Sequence, residues 1–186
     1  GSGGGAGGAL DISGVDVWLS VGSIEGGGLI DLGARSLIVG NRLATTFSGL
    51  IRGDAPPVFP SLTVQGTLTL TGANTYAGRT SIGDGINANS GKLVVANTIG
   101  SATGSGAVVI GRGGTLAGSG YIDGPVTLLD GGTIAPGDPV TLTLRDSLTW
   151  DGGGVIRLVL GADSAGSDHL SVGSLIRGTD GLFVFD

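Results

Sequence analysis

The chain has no cysteine and no methionine, one lysine (Lys92) and only 4% aromatic residues. Without cysteine there is no disulfide framework and no thiolate chemistry. That lack suits export through an oxidising periplasm. Charged residues make up 13% of the 186 residues and the net charge is −6. The basic stripe that nucleic acid requires is missing, so no nucleic-acid partner is expected. An anionic membrane surface would repel such a chain. No run of about 18 apolar residues occurs, hence no transmembrane helix is expected. The opening GSGGGAGGA has neither the charged n-region nor the apolar h-region of a signal peptide. The closing LFVFD is apolar almost to its last residue, and the expectation is a fragment of something longer.

Glycine, with 41 residues, is what the chain has in excess, at roughly three times average usage. Collagen would place it at every third position, and no such period runs here. A disordered linker would lack apolar side chains, yet 40% of the chain is hydrophobic and the mean hydropathy is +0.40. The apolar residues are mainly Val, Leu and Ile, which suit a pleated, half-buried surface. Short apolar runs between glycines therefore read as many short strands and many tight turns. With so few aromatics, the core must be narrow and aliphatic.

Helical periodicity is nearly absent. Alternating runs bounded by Gly, Asn, Asp or Ser predict strands at Val15–Val21, Leu37–Val39, Leu62–Val64, Leu68–Thr71, Lys92–Val95, Ala107–Ile110, Val126–Leu129, Val140–Leu144 and Val155–Leu160. An all-β chain of this kind could be a sandwich, a barrel or a solenoid. Internal repetition decides: GTLTLTG (66–72), GTLAGSG (114–120) and GTIAPGD (132–138) recur 48 and 18 residues apart, with the related strings GGLID (27–31) ahead of them and GKLVV (91–95) between the first two. A drifting repeat near 20 residues matches one coil of a β-helix, whose coils stack about 4.8 Å apart and share one core. At about 20–24 residues per coil, the expectation is a right-handed parallel β-helix of roughly eight coils. Leu128 and Ile134 are expected to point inward. DAPPVFPS (54–61) carries three of the six prolines, and because proline cannot donate to a central ladder this stretch is expected to leave the solenoid as a loop.

The string LTVQGTLTLTGANTYAGRTSIGDG…GKLVV (62–95) resembles the autotransporter-associated β-strand repeat, whose core follows an LTLxGxNTYxGxT pattern. Residues 21–53 are similar to the coil that precedes that motif, residues 104–138 to the coils that follow it, and 147–172 to the end of a passenger domain. Two features depart from the pattern: Val64-Gln65 replace a frequent lysine-glycine turn, and the proline-rich insert is unusual. The resemblance implies export across a Gram-negative outer membrane through a C-terminal β-barrel of the same parent chain, and display at the cell surface. It also implies that residues 104–186 resemble the coils that help a passenger fold outside the cell. On the residues themselves, Asn74 suits a tight corner, Thr75 and Thr80 can bond corner groups, Gly72 and Gly78 allow bends, and Tyr76 is expected on the flank of a coil.

Few residues invite a chemical reading. Arg52-Gly53-Asp54 at the mouth of the proline-rich loop could bind an integrin-like receptor on host or neighbouring cells, the carboxylate reaching a receptor metal. Asp84, Asn87 and Asn89 lack the alternating carboxylates of a calcium loop, so no metal is expected there. His169 beside Asp168 could suggest an acid–base pair, but neighbours on a strand point to opposite faces and Asp168 reads as a corner residue. Asp11, Asp16, Glu25, Asp31, Asp84, Asp123 and Asp130 are scattered singly, whereas polysaccharide-acting enzymes on β-helices need clustered carboxylates. No G-x-S-x-G elbow occurs. Thr67-Thr69-Thr71 and Thr141-Thr143 are too irregular for an ice-binding ladder. The expectation is a structural stalk without cofactor or catalysis, with direct adhesion through Arg52–Asp54 as the alternative and a polysaccharide-acting enzyme as the second.

Overall fold

The computed structural model describes residues 8–40, 43–53, 60–83, 90–137, 139–179, 181–182 and 184–185. Among them every regular element is a strand, apart from one turn of 3-10 helix at Ser164–Gly166. Every strand pairing is parallel. Parallel neighbours cannot be joined by a tight hairpin, so the chain must travel through other strands before returning. It does so by visiting separate sheets in turn, and the result is a parallel β-helix.

One sheet holds Ala9–Asp11, Leu29–Asp31 and Leu50–Arg52. A second stacks Ala44–Phe47, Thr67–Leu70, Gly91–Val95, Gly114–Gly118, Thr133–Ile134, Val155–Ile156 and Val184–Phe185 in that order. The third runs Trp18–Val21, Ser36–Val39, Leu62–Val64, Thr80–Ile82, Val108–Ile110, Val126–Leu128, then Thr141–Trp150, which also pairs with Tyr121–Ile122 and His169–Arg177. The coils differ in length. Val108 meets its partner Val126 after 18 residues, whereas Thr80 meets Val108 after 28. The extra residues go into the turns, because the strands themselves must stay in register.

Alternation within each strand sends one row of side chains inward. Leu37, Leu62, Thr80, Val108, Val126 and Leu148 form one inward column, each paired with the next. Leu68, Leu93, Leu116, Ile134 and Ile156 form another. All of these are buried, as are Leu128 and Ile134, which the sequence assigned to the interior. Burying one such aliphatic side chain contributes about 1.5–3 kcal/mol, and no single coil could bury its own row. At the far end the column stops being covered: Leu148 is 1% exposed while its partner Leu175 is 57% exposed. Trp150, Leu175, Ile176 and Arg177 line a cavity of about 410 Å³ there.

The surplus of glycine has a packing cause. Gly28, Gly49 and Gly72 stand one above another at one corner, where a Cβ on any of them would run into the carbonyl of the glycine before it, starting from Gly8. Gly78, Gly106 and Gly124 make a second column of the same kind. No larger residue fits where backbones stack this closely.

Several expected boundaries move. Val15–Val21 shortens to Trp18–Val21, and Val155–Leu160 to Val155–Ile156, leaving Leu160 exposed. Val140–Leu144 instead extends through Thr141–Trp150, with the register against His169–Arg177 shifting between Leu144 and Ser147. Arg145 and Asp146 both face outward at that shift, so the strand bends and serves two rows. Of the proline-rich stretch, residues 54–59 lie outside the described residues. Its flanks lie against each other, since a Cβ on Gly53 would strike the ring of the buried Pro60. Ser61 Oγ then bonds Ser36 Oγ at 2.7 Å.

Candidate functional site

The residues singled out around position 74 fold into one buried corner. Asn74 spans three successive coils: its Oδ1 accepts from the Ile51 amide at 2.7 Å and its Nδ2 donates to the Ala102 carbonyl at 2.6 Å. Backbone bonds repeat the pattern, with the Asn74 amide donating to Ser101 O and the Thr75 amide to Ile51 O. Tyr76 lies in the core with no exposed surface, not on the flank of the coil. An aromatic ring costs too much to leave wet when a pocket exists. Its hydroxyl shares a 2.7 Å hydrogen bond with Thr80 Oγ1, and this explains how a threonine can occupy the inward aliphatic column. Thr80 thus bonds a side chain, whereas the sequence suggested corner backbone. Gly78 is buried at the base of its glycine column.

Burial pushes the Tyr76 phenol well above its ordinary pKa, the Thr80 bond offsetting part of the effect. Because the folded state raises this pKa, the contribution to stability is complete below about pH 10 and is lost as the pH climbs beyond it, where the unfolded chain ionises first. Denaturant midpoints should fall between about pH 9.5 and 11.5 more steeply in the natural chain than in Tyr76→Phe. Parallel pH profiles for the two chains would show that this phenol is not protected.

Asn97 was not anticipated. It is buried, accepts from the Tyr121 amide at 3.0 Å and donates to the carbonyls of Ile99 and Gly100 at 3.1 Å each. Its bond to Tyr121 joins adjacent coils, as the bonds of Asn74 do, while its two donated bonds close its own turn. Buried Asn at a Gly-rich corner is the signal that would have found it.

The outward face carries a second unanticipated pattern. Arg52 pairs with Asp31 at 2.7 Å, Arg112 with Asp130 at 3.0 Å and Arg145 with Asp123 at 2.8 Å. Each pair joins adjacent coils at the same register position. Arg145 also lies 4.4 Å over the Tyr121 ring and donates to Gly100 O. Exposed pairs of this kind contribute about 0–1 kcal/mol each, so they adjust register more than they stabilise. The scattered acids Asp31, Asp123 and Asp130 therefore serve arginines one coil away.

The tripeptide divides at the limit of the described residues. Arg52 ends the strand Leu50–Arg52, half-exposed and held by Asp31, and Gly53 follows it; Asp54 lies outside the described residues. Asp84, Asn87 and Asn89 also lie outside them. Asp168 and His169 turn to different partners. Asp168 is buried with Oδ2 accepting from the Val159 amide at 3.0 Å, while His169 Nε2 lies 2.8 Å from Ser164 O on the surface. Asp11 is held below the usual carboxylate range by the hydroxyl and amide of Ser13. Among the described residues no group of three or more His, Asp or Glu side chains converges on one point. The threonines do not form an outward pair in every coil: Thr67 is flanked by Ala44 and Lys92, and Thr69 by Thr46 and Val94.

No family model matches the chain, and no solved structure matches it. The chain is 35% identical over 124 residues to the "Adhesin BmaC autotransporter" of Brucella suis biovar 1 (strain 1330). That match covers 62% of this chain and 3% of the relative. The chain is thus a parallel β-helix similar to a short stretch of a far longer autotransporter adhesin.

Proposed function

We propose that the chain is a stalk segment of a surface-displayed autotransporter passenger, wound right-handed in about eight coils. The right hand follows from the strong bias of parallel crossovers. The observation that supports the stalk reading best is the pair of unbroken inward columns, Leu37 to Leu148 and Leu68 to Ile156, combined with the similarity to an autotransporter adhesin. Nearest-neighbour stacking lets each coil template the next, which suits a chain that folds as it emerges from a pore. In this reading residues 62–95 are an autotransporter-associated β-strand repeat, and residues 104–186 are the coils that promote folding outside the cell. The partner is the C-terminal outer-membrane barrel of the same parent chain, and the location is the exterior of a Gram-negative cell. The reading needs no catalysis, metal or cofactor.

The test is to express the parent chain in a Gram-negative host and treat intact cells with protease and with antibody against residues 62–137. Antibody labelling of intact cells that protease removes is the expected result; labelling only after lysis would overturn the display reading. A second reading, direct adhesion through Arg52, Gly53 and Asp54, draws support from the half-exposed Arg52 side chain. Releasing it from Asp31 would cost only about 0–1 kcal/mol. Asp54→Ala in the same cells discriminates: unchanged binding to integrin-bearing cells removes that reading.

A further inference from the structure

Three of the arginines, Arg52, Arg112 and Arg145, are answered by an aspartate directly opposite in a neighbouring coil. Arg79 is not. Leu62 pairs with Thr80 and Thr80 with Val108, so continuing that register one residue backwards places Ser61 and Ala107 on either side of Arg79. Neither is acidic, and Arg79 makes no ion pair among the described residues. Its backbone is fixed, because its carbonyl accepts from the Leu62 amide at 3.0 Å. Its side chain borders an open cleft of about 310 Å³ on the outer face of the third sheet, together with Thr63, Gln65, Ser81 and Val109. Thr63, Ser81 and Val109 are register partners on three consecutive coils. The cleft is therefore floored by strand surface, walled by hydroxyl and amide groups, and has one unanswered guanidinium at its rim.

We propose that this cleft binds a carboxylate-bearing saccharide, with Arg79 gripping the carboxylate and Thr63, Gln65 and Ser81 meeting ring hydroxyls. A guanidinium fork matches a carboxylate in two parallel hydrogen bonds, which an ammonium cannot do. The hydroxyls of Thr63 and Ser81 sit on neighbouring strands about 4.8 Å apart, a spacing comparable to one sugar ring. Val109 offers a small apolar surface for the less polar face of that ring. This inference goes beyond the display reading: the isolated chain would bind the saccharide whether or not its parent is exported.

The experiment is an NMR titration of the isolated chain with sialyllactose and with oligogalacturonate, lactose serving as the neutral control. Binding of at least one acidic probe, with shifts centred on Thr63, Ser81 and Val109 and none from lactose, is expected. Arg79→Gln should weaken that binding tenfold or more, and Arg79→Lys should recover only part of it. Arg112→Gln, which removes an arginine already paired with Asp130, should leave it unchanged. Which probe binds separates a terminal sialic acid from a uronic acid chain. Because Arg79 is exposed, its variants should keep the natural β-sheet spectrum, which serves as the folding check. The proposal is overturned if neither acidic probe binds, if Arg79→Gln binds as well as the natural chain, or if lactose binds equally.

Discussion

Tyr76→Ala should destabilise the solenoid by about 3–5 kcal/mol, measured as the shift in a urea unfolding curve. The ring is fully buried in a core that is otherwise almost entirely aliphatic, so the cavity left behind has few large neighbours to refill it. The substitution also orphans Thr80 Oγ1, which sits in an inward column between Leu62 and Val108. Tyr76→Phe keeps the ring and leaves only that hydroxyl unanswered, so its cost should be about 1–3 kcal/mol. Adding Thr80→Val to Tyr76→Phe should recover much of the loss, because an apolar pair replaces a broken polar one. If Tyr76→Ala costs less than about 1 kcal/mol, the tyrosine is not the core side chain described above.

Asn74→Ala should be comparably severe for a different reason. Very little volume is lost, but the Ile51 amide and the Ala102 carbonyl each lose a partner inside the protein. An orphaned buried backbone group costs about 1–3 kcal/mol, and here there are two. Asn74→Asp separates them: it keeps an acceptor for Ile51 but offers the Ala102 carbonyl no donor and places a charge in the interior. Amide hydrogen exchange would show where the damage falls. Protection should drop at Ile51, whose amide loses its acceptor, and much less at Val155, since repeats transmit instability mainly to neighbours. Uniform loss along the chain would mean that the solenoid unfolds as one unit.

What the sequence disclosed and what it hid follow from the same physics. GTLTLTG and GKLVV were legible because an inward row needs Leu or Val at every second position, and the glycines mark corners. Thr133–Ile134 and Tyr121–Ile122 were not predicted, because a two-residue strand has no period of its own. Their assignment comes from the neighbouring coil. His169–Arg177 escaped because almost none of it is buried, so its residues show no clear alternation of apolar and polar types. At the motif, NTYxGxT was visible as a string, but the role of Tyr76 was misplaced. A tyrosine in a Gly-rich turn reads as a surface residue unless the hydroxyl of Thr80, four positions on, is recognised as its partner. The arginine–aspartate pairs were hidden because their spacing follows coil length: 18 residues from Arg112 to Asp130 but 22 from Asp123 to Arg145.

Unequal coils also bear on what happens when the molecule is stretched. The strands lie across the long axis and their hydrogen bonds run along it, so tension applied at the two ends opens the ladder from an edge instead of shearing it all at once. Each rupture then frees one coil. The coil from Val108 to Val126 holds 18 residues and that from Thr80 to Val108 holds 28, so single events should lengthen the tether by about 60–100 Å. In the proposed stalk, a sudden pull would then be met by a sequence of small yields of different lengths, each resetting the load before any attachment further along the chain is broken.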